Sequence, residues 1–440
     1  MVMVRSWIEP VVAGAQIASS FYDTGLLMTV KNHYNQTIMS SNSSSDKELQ
    51  KAISNFYIIY NSVMALTPLL SAYALGKISD RTSRKVTICV PMTGYLISRM
   101  FLLFVILWDW PIEVMFGSAA LNGITGWFTT YWAGVMAWAS LESSASRRSL
   151  RLIVIELVYG LAGFTGSLVS GHIFVNLNIN NYQGAVLVSC SLGCYVFCVL
   201  YSSLILKIPN TELRCVEGDD KVRCVQEALE EPNKIQYTER SRLLNDKPSH
   251  SVLSSQPDQT NTKFILITMF TCVILYNSAS NGAEDVINIF VLKKPLGWGP
   301  VEVGYGNAAA YINYITSFLG VYMFSKCFGD LGLIIIGITS FSSGILIMAF
   351  VRWTYLYYVA RAVMMFSLIP TPTIRSLISK HIQGSSYGKV FIVLQLAIGI
   401  ISVSSSAGMN KLYQATLDWY SGFCFIVFST LGFLSIIPVM

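Results

Sequence analysis

Long apolar blocks, broken by short polar stretches, run the length of the chain. Val86–Leu107, Gly184–Leu206 and Phe264–Leu275 are examples, and the apolar residues come in runs rather than in alternation. Blocks of this kind approach or reach the ~20 residues that cross a bilayer as a helix. A membrane strand would show segments of roughly 10 residues with period two. The pattern predicts spans over 7–30, 52–77, 86–108, 112–138, 151–176 and 184–208, and again over 263–292, 302–327, 331–351, 355–379, 387–412 and 418–439. The first block exceeds the 7–15-residue apolar core of a cleaved signal, so it reads as a retained span. The fold class expected is an all-α membrane protein with twelve transmembrane helices in two six-helix halves.

The polar stretches orient these spans. Lys31–Lys51 predicts a polar loop, and its Asn35-Gln36-Thr37 and Asn42-Ser43-Ser44 are acceptor patterns for glycosylation at Asn35 and Asn42. That makes the loop lumenal or extracellular and puts the N-terminus, with Arg5, in the cytoplasm. Lys77, Arg81, Arg84 and Lys85, and then Arg147, Arg148 and Arg151, fall on the cytoplasmic side. The opposite loops, near Asp109 and over 177–183, have no Lys or Arg, which fits the positive-inside rule. Pro209–Asn261 is charged and poor in aromatics, a composition that predicts a disordered cytoplasmic linker. The domains expected are 1–208, the N-terminal half with loop 31–51; 209–262, the linker; and 263–440, the C-terminal half. Within the linker, Glu239-Arg240-Ser241-Arg242-Leu243-Leu244 has the acidic dileucine form read by vesicle adaptor proteins. Glu239, Leu243 and Leu244 would then address the protein to endolysosomes.

Composition removes other classes. Of 440 residues 53% are hydrophobic and 12% charged, against about 25% charged in soluble domains. A soluble enzyme, a nucleic-acid binder and an outer-membrane barrel all fit poorly. The formal charge of +6 reflects basic cytoplasmic loops rather than an acidic partner. Of nine cysteines, six lie inside apolar blocks, where a thiol behaves as a small apolar side chain. Cys190, Cys194 and Cys198 share a helix face without a His or carboxylate beside them, which favours packing over a metal site. No nucleotide loop or metal cluster is present, so no catalytic residue, metal or cofactor is expected. A proton is the one coupling ion the sequence suggests.

Charges inside spans are costly and usually functional or paired. The candidates are Glu9, Asp23, Arg99, Glu156, Glu284, Asp285, Arg361 and Arg375. Structural pairing is expected for Glu9, Asp23 and Arg99. Glu156 is followed by Gly160, Gly163 and Gly166, which should bring helices close, and in that dry setting it could carry a proton. Glu284 and Asp285 are adjacent and point about 100° apart on a helix. As further proton-coupling candidates, they could also attract a cationic or zwitterionic group. Pro370 and Pro372 should disrupt their span just before Arg375, and broken helices line substrate cavities. Arg375 could clamp a substrate carboxylate. Trp127, Tyr131 and Trp138 share one helix face, where Trp127 and Tyr131 could stack on a ring-bearing substrate or simply pack.

Between the second and third spans stands Gly76-Lys77-Ile78-Ser79-Asp80-Arg81-Thr82-Ser83-Arg84-Lys85. It resembles the signature loop of the major facilitator superfamily, G-x-x-x-D-R-x-G-R-[RK], with Ser83 where Gly is usual. Gly76 would let two helix ends approach, and Asp80 with Arg81, Arg84 and Lys85 would form a gating latch. Ile53–Tyr60, Leu75–Lys85, Arg151–Gly166, Leu296-Gly297-Trp298, Val303–Gly306 and Pro370–Lys380 are similar to solute carrier family 46, the family of the proton-coupled folate transporter. The resemblance implies two six-helix halves and proton-coupled uptake of organic anions. Its known substrates include folates, antifolates, bacterial muropeptides and related immune ligands. It also implies proton coupling at Glu156 and substrate and proton coupling at Arg375. Glu284 stands where the folate transporter has a His. Some members staple two outer loops with a disulfide; Lys31–Lys51 has no cysteine and Gly297 stands at the partner position, so that staple is not expected.

The reading is a symporter for a small organic anion or zwitterion, embedded in the lipid bilayer of the plasma membrane, the endolysosome or both, with vesicle adaptors as partners and no nucleic acid. An exchanger or uniporter of the same fold, or a transport-inactive receptor or scaffold, also fits the sequence.

Overall fold

Residues 7–40, 46–81, 85–142, 148–177, 183–206, 259–381 and 387–439 are described by a computed structural model of the chain. Among them every regular element is helical. In hydrocarbon no water can bond the backbone, so each apolar segment must satisfy its own N–H and C=O groups, as a helix does. The N-terminal half holds α1 (Glu9–Ser40), α2 (Asp46–Arg81), α3 (Val86–Trp108), α4 (Val114–Ile124), α5 (Trp127–Glu142), α6 (Arg148–Asn176) and α7 (Ala185–Leu200). The C-terminal half holds α8 (Gln259–Phe290), α9 (Pro300–Phe324), α10 (Asp330–Ala349), α11 (Thr354–Val363), α12 (Pro370–His381), α13 (Tyr387–Thr416) and α14 (Phe423–Leu434). Val86–Trp108, Val154–Asn176, Ala185–Ile205, Ile265–Phe290 and Asp330–Ala349 are long and apolar enough to cross a membrane on length and composition alone. Met1–Leu206 and Phe264–Met440 form one compact unit, and Lys207–Lys263 another. Of the second unit only the first turn of α8 is described, so the expected sorting residues Glu239, Leu243 and Leu244 lie outside the described residues.

Two expectations need correction. The predicted loop over 31–51 is mostly helix: α1 runs on to Ser40 and α2 begins at Asp46. Loss of apolar side chains ends a membrane span, but a propagating helix still gains one hydrogen bond per residue. The predicted span over 112–138 is broken, with Gly126 at φ 96° between α4 and α5 and Trp127, the first residue of α5, at φ 45°. Glycine tolerates that left-handed turn; tryptophan is strained there.

The disruption expected in 355–379 is present and falls just ahead of the prolines. α11 stops at Val363, a 3-10 turn spans Met364–Phe366, and Pro370 opens α12, a first-turn position where its missing N–H costs little. Neighbours satisfy the freed backbone. The Thr316 and Ser317 hydroxyls donate to the Met365 carbonyl at 2.7 and 3.0 Å. Ser340 donates to the Val363 carbonyl at 2.6 Å, and Leu368 N–H donates to Ser317 Oγ at 3.3 Å.

The halves meet along two seams. On one, α6 lies against α9. A Cβ at Gly163 would stand 2.5 Å from the Tyr311 ring, and one at Gly171 would stand 2.4 Å from the Pro300 carbonyl oxygen. Only glycine permits that approach. On the other, α2 meets α13 through polar groups, Lys411 Nζ among them, which donates to Asn55 Oδ1 at 3.2 Å. Gln414 Nε2 donates to Ser54 Oγ at 3.0 Å and to Asn55 Oδ1 at 2.8 Å, and Ser54 donates to Asn410 Oδ1 at 3.2 Å. Beyond this zipper Lys47 pairs with Asp418 at 2.8 Å, and Lys31 Nζ donates to the Trp298 carbonyl at 3.0 Å.

Candidate functional site

Between the halves lies a cavity of about 650 Å³. Both halves wall it: α1, α2, α3, the α4–α5 break and α6 from one, α8, α9, α10 and the α11–α12 break from the other. The two helix breaks thus supply Asn122, Trp127 and Phe128 on one side and Met364, Ser367 and Thr371 on the other. A pocket of this size suits a drug-sized organic molecule.

The wall is aromatic and amide-rich. Tyr22, Tyr57, Tyr60, Tyr159, Tyr311 and Tyr314 give rings and hydroxyls. Asn61, Asn277, Asn281, Asn288, Asn307 and Asn313 give donors and acceptors without charge. An asparagine inside an apolar span is a signal in its own right, because an unsatisfied amide in hydrocarbon is costly. Weighing only the charged residues of the spans overlooks it.

The charged lining residues are Asp23, Arg99, Glu284 and Asp285. Glu284 is bound by Arg361, with Nη1 to Oε1 at 2.7 Å and Nη2 to Oε2 at 3.1 Å. Arg361 Nε also donates to the Tyr357 hydroxyl at 3.0 Å. Asp285 accepts from Ser406 on α13 and bonds Asn61 on α2. It therefore ties the cavity wall of one half to the other. Although Glu284 and Asp285 point apart, both reach this one cavity, because it wraps around the face of α8 between them.

Other candidates fall elsewhere. Glu156 is exposed on α6 and is not among the cavity's lining residues, and among the described residues it has no hydrogen-bond or ion-pair partner. Arg375 is half-buried on α12 and also off the lining; the helix break ahead of it turns Thr371, rather than Arg375, into the wall. Trp127 lines the cavity. Tyr131, expected beside it as a substrate contact, does not: it is 3% exposed and packs with Tyr95 and Trp138 in the core of its half. Trp127 packs against the same core but also reaches the cavity. Glu9 pairs with Arg151, its Oε2 3.1 Å from Nη2.

In the signature loop a Cβ at Gly76 would meet nothing within 4 Å among the described residues, so no described helix end approaches there. Lys85 donates to the Ser203 carbonyl at 3.3 Å. The Asp80 and Arg81 side chains, and all of Arg84, lie outside the described residues, as does Asn42. Asn35 is exposed on the last turns of α1.

A family model described as Major Facilitator Superfamily matches residues 15–282. Solute carrier family 46 member 2 of Mus musculus is 48% identical over 446 residues, covering 99% of this chain and 92% of the relative. The lysosomal proton-coupled steroid conjugate and bile acid symporter of Gallus gallus is 28% identical, covering 91% of this chain and 85% of its own. The proton-coupled folate transporter of Rattus norvegicus is 26% identical, covering 89% and 80%. Among solved structures, a D-xylose-proton symporter superposes with a TM-score of 0.67 at 13% identity, covering 98% of this chain and 96% of its own.

Proposed function

This chain belongs to solute carrier family 46 of the major facilitator superfamily, and on that premise we propose that it is a proton-driven symporter importing anionic or zwitterionic organic solutes by alternating access. That it is a membrane transporter of small organic solutes follows from the family. The proton coupling and the substrate charge rest on one observation. The cavity of about 650 Å³ carries two carboxylates, Asp23 and Asp285, that have no ion-pair partner among the described residues. A protonated carboxyl is neutral, so each proton taken up removes one negative charge from the wall and eases the entry of an anion. The relatives named as proton-coupled folate and steroid-conjugate carriers support the same chemistry.

Asp285 is the leading coupling residue, because its bonds to Ser406 and Asn61 carry its protonation state to both halves. Glu156 is the second; it would act from the α6 surface, off the cavity. Glu284 serves by holding Arg361, and Trp127 offers a face for a ring-bearing substrate. Arg375 remains a proposed substrate contact in a conformation that turns α12 inward. The N-terminus is proposed to be cytoplasmic, and the dileucine form at Glu239, Leu243 and Leu244 to recruit vesicle adaptors to an endolysosomal pool.

The test is uptake of folate, cholate and a muropeptide into proteoliposomes holding the purified full chain, under an imposed pH gradient. Accumulation of a probe against its own gradient, with Asp285→Asn able to exchange but not concentrate it, is the expected result. Equal equilibration of every probe with and without the gradient would mean an exchanger or uniporter.

A further inference from the structure

Arg99, on α3, lines the cavity and is 3% exposed. Its Nη2 reaches the Tyr195 hydroxyl at 3.4 Å, the far limit of a hydrogen bond, while Nε and Nη1 have no partner. Rings hold it instead: Tyr22 at 3.9 Å from the guanidinium carbon, Tyr95 and Tyr195 each at 4.8 Å. A ring attracts a cation through its quadrupole but carries no net charge; Asp23, lining the same cavity, acts on the guanidinium by charge without a hydrogen bond or ion pair to it. Arg361 is the contrasting case, gripped on two nitrogens by Glu284.

A second orphan lines the same cavity. Asn122 on α4 is fully buried, also lines the cavity, and leaves both Nδ2 and Oδ1 without a partner. The two helices touch where Ser98 and Ser118 hydroxyls meet at 2.7 Å. Ser98 is the neighbour of Arg99 in sequence, and Asn122 lies one turn beyond Ser118. Buried polar groups are ordinarily satisfied, so two unsatisfied ones on residues that line one cavity point to a polar ligand as their partner.

We propose that Arg99, together with Asn122, is the subsite that receives the oxyanion of the substrate, a carboxylate. This rests on the reading of the cavity as the transport site. Nε and Nη1 flank Nη2 on the two edges of the guanidinium, so a carboxylate that displaces the weak Tyr195 contact meets a two-nitrogen fork on either edge. The Asn122 amide supplies one further donor. Nε and Nη1 are covered in the present conformation. Tyr22, stacked on the guanidinium and bonded to the Tyr60 hydroxyl at 3.0 Å, is the ring that turns to uncover them.

The experiment is ligand-induced thermal stabilisation of the purified full chain by matched acid and amide probes: cholate against its neutral amide, and folate against its diamide. The wild type should bind at least one acid about ten-fold or more tightly than its amide. Arg99→Met should erase that preference, Arg99→Lys should keep part of it, and Arg352→Met, at an exposed loop position, should leave it intact. Arg99→Lys, which retains the charge and the ring contacts, carries the test if Arg99→Met does not purify as a monodisperse protein. An acid preference that survives undiminished in the Arg99 variants overturns the inference, and so does a wild type that prefers no acid. An acid preference lost with Arg99, in a protein that shows no gradient-driven uptake, would sustain the subsite and remove only the symport.

Discussion

Arg361 and Glu284 are joined by two parallel hydrogen bonds, at 2.7 and 3.1 Å, yet their surroundings differ: the Arg361 side chain is 3% exposed and that of Glu284 48%. The cation is locked into the protein and the anion looks into the cavity. The pair thus presents the cavity with a carboxylate whose charge is already compensated from behind.

Breaking that pair from the Glu284 side strands a buried guanidinium. Glu284→Ala should destabilise the protein by roughly 3 kcal/mol, the lower end for a buried pair because cavity water reaches the carboxylate. The double variant Glu284→Ala, Arg361→Met should recover part of the loss, since no orphan charge remains. Thermal unfolding of the two variants in detergent reads this. Equal losses in both would mean the pair has no special cost of breakage.

The α2–α13 seam predicts a population shift. Gln414→Ala removes the bonds to Ser54 and Asn55, together about 1–3 kcal/mol net. That should raise the population with this seam parted by roughly five-fold or more. Spin labels at the exposed positions Met39 and Trp419 would report it as a new long-distance peak. An unchanged distance distribution would show that the seam is held elsewhere.

Close glycine contacts predict a graded response on α6. At Gly163 an added methyl meets the Tyr311 ring, which can tilt. At Gly171 it meets the Pro300 and Val301 backbone at 2.4–2.5 Å, which cannot. Gly171→Ala should therefore cost about 1–3 kcal/mol and exceed Gly163→Ala. At Gly193, where nothing among the described residues lies within 4 Å, the same change should be nearly silent. Melting temperatures of the three variants rank them directly.

Acidification should spare the Lys47–Asp418 bridge. The hydrogen bond from Lys47, with its charge, holds the Asp418 carboxyl below the usual range. A carboxylate depressed on folding contributes stability that is present above its unfolded value, about 3.9, and fades as pH falls through the lower folded value. The stability difference between wild type and Asp418→Asn should therefore be the same at pH values of about 7 and about 5. A difference that shrinks by the more acidic value would contradict the assignment.

The chain's own sequence determined the class of molecule. Apolar blocks such as Val86–Trp108 leave the backbone no partner but itself, so they become helices whatever surrounds them. The signature at Gly76–Lys85 and the stretch around Arg151–Gly166 were enough to name the superfamily and family, because those patterns are local. The amide-rich face of α8 was equally legible, had asparagines been weighed like charges. Which ionisable side chains share a cavity was not legible. Asp23, Arg99 and Asp285 sit on three different helices, and their meeting depends on how α1, α3 and α8 are rotated and tilted against one another. Glu156 and Arg375 look as strong in sequence, yet the packing of α6 on α9 and the break before Pro370 leave both off the cavity wall. Tyr131 and Trp127 pack against one core cluster, yet only Trp127, at the start of α5, reaches the cavity. Hydrophobicity acts on each segment alone and can be read along the chain. Side-chain convergence is a property of pairs of helices, and only the tertiary structure decided it.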